Sequence, residues 1–169
     1  ESAPALRRLE IAQSRGFAAW LAERRISLAF TTGASGRLVL VGPGAEGTLS
    51  LFLRGFDGAY GLHGNGQSLL MGGAFQIWRF ENTVAPGKTA SGYDKLFVPR
   101  LAHTTGAVHA GDVAFAADGA ILFANALFSC VAAASGEFSF VPVWRPSFIP
   151  RLVPEDRCHI TGIALEDGL

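Results

Sequence analysis

The sequence has no excess of charge of either sign, and this absence limits what the protein can bind. Its 169 residues hold 14 Lys and Arg against 14 Asp and Glu, so the formal net charge is zero. Nucleic-acid-binding domains usually carry a basic excess on one face. The balance of charges therefore argues against a nucleic-acid partner.

The sequence also lacks a long apolar run. The longest weakly polar stretch, AILFANALFSCVAAA at 120–134, is shorter than the roughly 20 residues that a membrane-spanning helix needs. Residues 1–30 lack the continuous apolar core and small-residue cleavage site of a signal peptide. We therefore expect no membrane span, and a cytoplasmic location is favoured over export.

Cysteine is scarce, and no catalytic signature is present. Cys130 and Cys158 stand alone, outside any CxxC or zinc-binding spacing. Free buried thiols are favoured, and a disulfide would require export, so their redox state stays open. The chain contains no G-x-S-x-G, P-loop, H-E-x-x-H or EF-hand pattern. No residue is assigned a catalytic role on this basis.

Short apolar runs separated by glycine-rich turns make up most of the chain. Apolar residues are 49%, charged residues only 17%, and glycine occurs 21 times, which is typical of β-structure with tight turns. Apolar positions near helical spacing predict a helix over residues 4–25, which Gly16 weakens. The predicted strands then fall into three sets: 26–30, 37–41 and 48–53; 59–63, 68–73, 75–80 and 96–102; and 112–116, 120–125, 127–133 and 137–144.

The sets repeat at a spacing near 50 residues. Asp118-Gly119 and Asp167-Gly168 are 49 residues apart, and Asp-Gly is a strong hairpin signal. A run at 160–165 begins a fourth set. About four strands per repeat of this length is typical of propeller blades, with a β-sandwich or another meander as alternatives.

The predicted fold is therefore all-β. It is a partial β-propeller of about three four-stranded meander blades and the start of a fourth, with an N-terminal helix. Residues 1–25 form the helical segment, and 26–169 form the propeller-like domain, which we expect to be truncated at its C-terminus as part of a longer protein.

Five stretches carry a resemblance to a known family: GFAAWLAERRISLAFTTGASGRLVLVG (16–42), FQIWRFEN (75–82), YDKLFVPR (93–100), ANALFSC (124–130) and WRPSFIPRLVPEDRCHITGIAL (144–165). The chain resembles a bacterial family of conserved hypothetical proteins that carry a domain of unknown function and are β-propeller-like. The resemblance implies a fold and no chemistry. This chain has Gly111-Asp112 where the family has His-Asp, and Thr161 where it tends to have Asn. If those side chains line a central site, the site here is altered.

The chemically densest stretch is 144–168, and within it the run Glu155 to His159 has three interpretations. It could be a structural latch, with Arg157 paired to a carboxylate of a neighbouring blade and His159 bonded to a backbone carbonyl. It could be a ligand-binding edge, with Arg151 or Arg157 holding an anion through a planar fork of donors. It could be catalytic, with Cys158 or His159 as nucleophile or base.

Loops that lead into the first strand of each blade form one mouth of a propeller channel. They hold Asp57, His63 nearby, Asp112 and the run from Glu155, and polar groups converging there could bind a ligand. Asp112 and Asn125 could bind Ca²⁺, which takes oxygen ligands, although no spacing establishes it. Trp78 is interpreted as a packing residue. The candidate ligand-binding residues are Asp112, Asn125, Arg151, Glu155, Asp156, Arg157 and His159.

The predicted function is a propeller-type binding or scaffold module for an unknown small molecule or protein. The alternative is a metal-dependent, lactonase-like hydrolase with its site in the propeller channel. The two differ in one requirement, because the enzyme needs at least three oxygen or nitrogen ligands that converge on one point.

Overall fold

A computed structural model describes residues 11–166 of the chain. Within them the chain forms one α-helix and eleven β-strands. It divides into two compact units: residues 11–29 together with 40–52, and residues 30–39 together with 53–166.

The helix α1 spans Phe17–Arg24 and is shorter than the sequence predicts. Gly16 precedes it with φ 87°, in the left-handed region that glycine enters at little cost. That backbone conformation ends the helix in the N-terminal direction, so the prediction was wrong for residues 11–16, and residues 4–10 lie outside the described part. Leu21 and Ala18 are buried, whereas Trp20 is 45% exposed.

The strands follow the predicted order, most with ends within one to three residues of the predicted ones. Their bounds are β1 Leu28–Thr32, β2 Arg37–Pro43, β3 Leu49–Gly55, β4 Leu62–Gly64, β5 Ser68–Gly72, β6 Gln76–Asn82, β7 Phe97–Thr104, β8 Ala110–Phe115, β9 Ile121–Asn125, β10 Cys130–Ala133 and β11 Val141–Trp144.

These strands form three antiparallel sheets, each a meander in chain order. Sheet 1 contains β1-β2-β3, sheet 2 contains β4-β5-β6-β7, and sheet 3 contains β8-β9-β10-β11. The prediction of a mostly β chain with one helix is confirmed. Sheet 1 has the three strands that its set of apolar runs predicts, one fewer than the predicted four-stranded blade, and within residues 11–166 no sheet closes on itself.

Residues 160–165 form no strand, although their sequence predicts one. A strand is stabilised by the ladder of hydrogen bonds to a neighbour, and no described strand pairs with this run. The backbone of residues 160–165 instead bonds to a side chain: the Ile163 N–H donates to Asp112 Oδ2 at 3.1 Å.

Sheets 2 and 3 share a hydrophobic core. Leu70 and Ile77 of sheet 2 cluster with Val113 and Phe123 of sheet 3, and all four are buried. The backbones of the two sheets come close at two glycines. An added Cβ at Gly61, just before β4, would lie 2.3 Å from the Cα of Asp112, and one at Gly72 would lie 2.4 Å from Ala110 O. Only glycine fits at these positions, so the contact between the two sheets depends on both residues.

Glu81 on β6 lies in a polar network within sheet 2. The Ser68 hydroxyl donates to its Oε2 at 2.7 Å and Arg79 Nε donates to its Oε1 at 2.5 Å. Burial acts to raise the pKa of Glu81, but these hydrogen bonds and the nearby arginine charges outweigh it, and the pKa lies below its ordinary value.

The segment that follows each sheet, its link, is held by a backbone hydrogen bond of the same kind. In each case a link residue donates its N–H to a turn of the preceding sheet, between the first and second strands of sheet 1 and between the second and third strands of sheets 2 and 3. The three bonds are Phe56 N–H to Gly36 O (2.7 Å), Thr105 N–H to Phe75 O (2.9 Å) and Asp156 N–H to Leu127 O (2.8 Å). The donors are 49 and 51 residues apart, which matches the spacing of the sequence repeat.

Candidate binding site

The predicted run from Glu155 to His159 lies against the turn between β9 and β10. The N–H groups of Arg157 and Cys158 both donate to Ser129 Oγ, at 2.9 and 3.3 Å. Ser129 is only 2% exposed, so water cannot easily replace it as an acceptor. The run is therefore held in place through its main chain.

The charged side chains of this run pair with one another. Arg157 Nη2 lies 2.6 Å from Glu155 Oε2, and His159 Nδ1 lies 2.6 Å from Asp156 Oδ2. The expectation that Arg157 pairs with a neighbouring sheet and His159 with a backbone carbonyl was wrong. The reason is geometric: the run curls on itself, with positive φ at Asp156 and His159. Exposed pairs of this kind contribute little to stability.

Asn125 is fully buried and shapes the turn that receives this run. Its Oδ1 accepts the Phe128 N–H at 3.0 Å. Its Nδ2 has no hydrogen-bond partner among the described residues, and neither does Asp156 Oδ1, which is also buried. Buried polar atoms are usually paired, so a donor and an acceptor remain available near this turn.

Backbone strain is concentrated in the same loops. His109, Ser129, Asp156 and His159 have φ between 46° and 55°, a conformation that costs non-glycine residues free energy and persists only when surrounding contacts enforce it. Such residues gather at functional or tightly constrained loops. One such contact holds His109, whose carbonyl oxygen accepts the Ala126 N–H at 3.4 Å.

The side-chain oxygens of the two predicted calcium ligands, Asp112 and Asn125, accept backbone hydrogen bonds. Asp112 Oδ1 accepts the Val113 N–H at 2.9 Å, and Asp112 Oδ2 accepts the Ile163 N–H. Asn125 turns its oxygen to Phe128. Across 11–166, no group of three His, Cys, Asp or Glu residues is placed to hold a metal ion. Arg151 is exposed and makes no side-chain hydrogen bond or ion pair with these residues.

A separate concave site, which we name the Arg54 cleft, lies beside the first link of the repeat. It measures about 280 Å³ and is lined by Arg54, Gly55, Phe56, Asp57, Phe75, Gln76 and Trp78. It combines the end of β3 and the link that follows with the turn and first residues of β6.

Phe56 organises this cleft. Its ring meets Trp78 edge-on at 5.4 Å and Phe80, which is 2% exposed, at 5.8 Å. The Arg54 guanidinium lies over the same ring, 5.3 Å from its centre. Aromatic edge contacts and a cation over a ring face are both favourable, so the cleft has a fixed aromatic wall and an oriented cation.

The polar side chains of the Arg54 cleft are uncommitted. Within the described chain, Arg54, Asp57 and Gln76 make no side-chain hydrogen bond and no ion pair. Phe75 beside them is 49% exposed. Free donors and acceptors next to an exposed aromatic ring are the features of a small-ligand site.

Sequence reasoning found only part of this cleft. Asp57 was placed among the loops that lead into a first strand, and Trp78 was interpreted as a packing residue. Arg54, Phe75 and Gln76 were missed. The sequence contains only a weak sign of this cleft. Phe75 follows the glycine pair 72–73 at a predicted turn, and a large apolar side chain at a turn is often exposed.

An apolar groove of about 450 Å³ lies beside sheet 3. Its wall includes Val131, Trp144, Phe148, Ile160 and Ile163. Trp144 is 57% and Phe148 72% exposed. A groove of this kind marks a surface that another apolar element can cover.

Both cysteines are free thiols. Burial raises the pKa of the Cys130 thiol to about 11, and the neighbouring Cys158 adds to the shift. The thiolate is the nucleophilic form, so Cys130 is unreactive near neutral pH. The structure thus places Cys130 in the core rather than in a catalytic role.

Among residues 11–166, no helix is both long and apolar enough to cross a bilayer. No curated protein and no solved structure matches the chain. The profile of a family described as a domain of unknown function, DUF4915, matches residues 15–169, and since that match covers most of the chain, the protein belongs to this family.

Proposed function

We propose that the chain is a binding module built on a propeller-type scaffold, with the Arg54 cleft as its ligand site. Two repeats support the scaffold. The link-to-turn hydrogen bonds recur three times, and the close contact of Gly61 with Asp112 is followed by that of Asp112 with Ile163, each step spanning 51 residues. Such recurrence is expected when successive blades place their first strands around one axis.

In this arrangement residues 160–165 are the first strand of a fourth sheet. The apolar groove beside sheet 3 is then the face that this fourth sheet covers, as sheet 3 covers sheet 2. Trp144 and Phe148 would become buried there.

The single observation that carries the binding function is the set of uncommitted side chains in the Arg54 cleft. In the run from Glu155 to His159, Arg157 pairs with Glu155 and His159 with Asp156, and Asp112 accepts the Ile163 N–H. Among the described residues the side chains of Arg54, Asp57 and Gln76 make no such bonds, and they lie beside the exposed ring of Phe75. A site of this composition binds a ligand without reacting with it, since it holds no nucleophile activated by a base.

The residues predicted from the sequence keep a place in this proposal. Asp156 and Arg157 hold the third link on its turn, at the position in the repeat that Phe56 occupies beside the Arg54 cleft. Arg151 is exposed and uncommitted, and of that stretch it is the side chain best placed to contact a second ligand or partner. The lactonase-like alternative gains no support from residues 11–166.

A thermal-shift comparison of two phenylalanine variants tests the binding function. Phe75→Ala removes the exposed ring of the cleft, and Phe138→Ala removes a ring that is 64% exposed elsewhere. The probes are single monosaccharides, free amino acids, mononucleotides and inorganic phosphate. A ligand that binds the folded state raises the melting temperature. We expect at least one probe to do so for the wild type and for Phe138→Ala but not for Phe75→Ala; equal responses of all three proteins would refute the site.

A further inference from the structure

We infer that the ligand of the Arg54 cleft is an uncharged, hydroxyl-rich ring, namely one monosaccharide unit. This inference rests on the proposed function and names its ligand class. Three features of the cleft lead to it: its balance of charge, its aromatic wall and its size.

The charges of the cleft favour a neutral ligand. It carries one cation, Arg54, and one anion, Asp57. A phosphate attracted by the guanidinium would meet the carboxylate, and an amine attracted by the carboxylate would meet the guanidinium. A hydroxyl group both donates and accepts, so neighbouring hydroxyls of one ring can satisfy Arg54 and Asp57 together.

The polar side chains are also of the right shape. Guanidinium, carboxylate and carboxamide groups are planar and present two donors or acceptors side by side. Arg54, Asp57 and Gln76 supply one of each. Two adjacent ring hydroxyls can bond both donors or acceptors of such a group, whereas an isolated polar atom bonds only one of them.

The aromatic wall fits the other side of a sugar ring. A pyranose exposes C–H groups on its faces, and these pack on flat apolar surfaces. Phe75 is half exposed, and Trp78 is held edge-on by Phe56. Because Phe56 and the Arg54 above it are already in contact, the wall and the cation need little reordering when a ligand binds, which favours affinity.

The size of the cleft limits the ligand to about one ring. Pockets for drug-sized ligands measure roughly 300–1,000 Å³, and the Arg54 cleft at about 280 Å³ lies just below that range. A peptide segment or a nucleotide would extend beyond it. A free amino acid is the competing small ligand, since its two charges also match Arg54 and Asp57, but it leaves the aromatic wall uncovered unless its side chain is large.

Ligand-observed NMR with defined probes tests the inference. The probes are the methyl glycosides of glucose, galactose, mannose and N-acetylglucosamine, then phenylalanine, glycine and inorganic phosphate. We expect saturation transfer to at least one glycoside. Phe75→Ala should weaken its binding tenfold or more, Asp57→Asn should weaken it measurably, and Phe138→Ala should leave it unchanged. Added salt should have little effect on a neutral ligand, because screening acts on charges.

The outcomes separate the two proposals. If an amino acid or phosphate binds in a Phe75-dependent way and no glycoside does, the sugar inference is overturned and the binding function stands. If no probe binds, or if binding survives Phe75→Ala, both are overturned. Gln76→Ala provides a second cleft variant should Phe75→Ala fail to fold, and the melting temperature of each variant shows whether it has folded.

Discussion

Replacing Ser129 by alanine should destabilise the protein, because one buried hydroxyl accepts two backbone N–H groups. Among the described residues the N–H groups of Arg157 and Cys158 have no other hydrogen-bond partner, and the bond of 3.3 Å contributes less than the bond of 2.9 Å. A buried donor left without a partner costs about 1–3 kcal/mol, and these two are only partly buried. We therefore expect Ser129→Ala to lower the free energy of unfolding by roughly 1 kcal/mol, the lower end of that range.

Thermal unfolding and hydrogen exchange measure this effect. For a chain of this size each kcal/mol lowers the melting temperature by about 2–4 °C, so the expected fall is also about 2–4 °C. The amide protons of Arg157 and Cys158 should exchange faster, whereas those of β9 should change only with global stability. Ser129→Gly, which also removes the hydroxyl but relieves the strain at φ 55°, should be the less damaging of the two changes.

Ser135→Ala is the matched control. Ser135 Oγ also accepts two backbone N–H groups, those of Glu137 and Phe138, each at 3.1 Å, but in an exposed turn. Water can replace it there, so the loss should stay within about 0.5 kcal/mol, as for most surface substitutions. Equal destabilisation by the two alanine variants, or unchanged exchange at Arg157 and Cys158, would refute the argument from burial.

Two further predictions concern the sheets. Gly61→Ala should lower the melting temperature by several degrees, because the added Cβ would overlap the backbone of Asp112. Gly136→Ala is the control and should have little effect, because its Cβ would have no atom within 4 Å. Similar melting curves for the two variants would show that the sheets are not in contact at Gly61. Glu81→Gln should destabilise the chain near neutral pH and lose this effect in acid: a lowered folded-state pKa adds stability above the ordinary value of 4.5 that disappears as pH falls through the folded pKa. A stability difference that stays constant or grows between pH 6 and pH 3 would contradict that assignment.

The sequence predicted most of the local structure. Runs such as 120–125 and the turn at Asp118-Gly119 predict a hairpin because strand preference and turn geometry reside in a few adjacent residues. The Ala116 N–H donates to Ala120 O at 2.8 Å across that turn, as such a hairpin requires. The helix was overestimated, because periodicity continued through Gly16 while its backbone conformation did not.

Contacts between groups that are far apart in the sequence could not be predicted from the sequence alone. Polar density in the run from Glu155 suggested chemistry, yet density in sequence does not reveal which groups are already satisfied. Ser129, 28 residues away from Arg157, was absent from the candidates, although its hydroxyl holds that run. The Arg54 cleft combines the link after β3 with residues about 20 positions later, and no local pattern links the two.

From the sequence alone one can predict that this chain is built from short strands joined by glycine-rich turns, and the structure shows that they pair antiparallel. Alternation of apolar runs and glycine turns is a local property, and it survives in any packing of the sheets. Tertiary structure alone decided which polar groups remain free to bind. That outcome depends on distances between residues remote in the chain, which determine whether a carboxylate such as Asp112 meets a backbone N–H or, like Asp57, makes no side-chain contact of this kind.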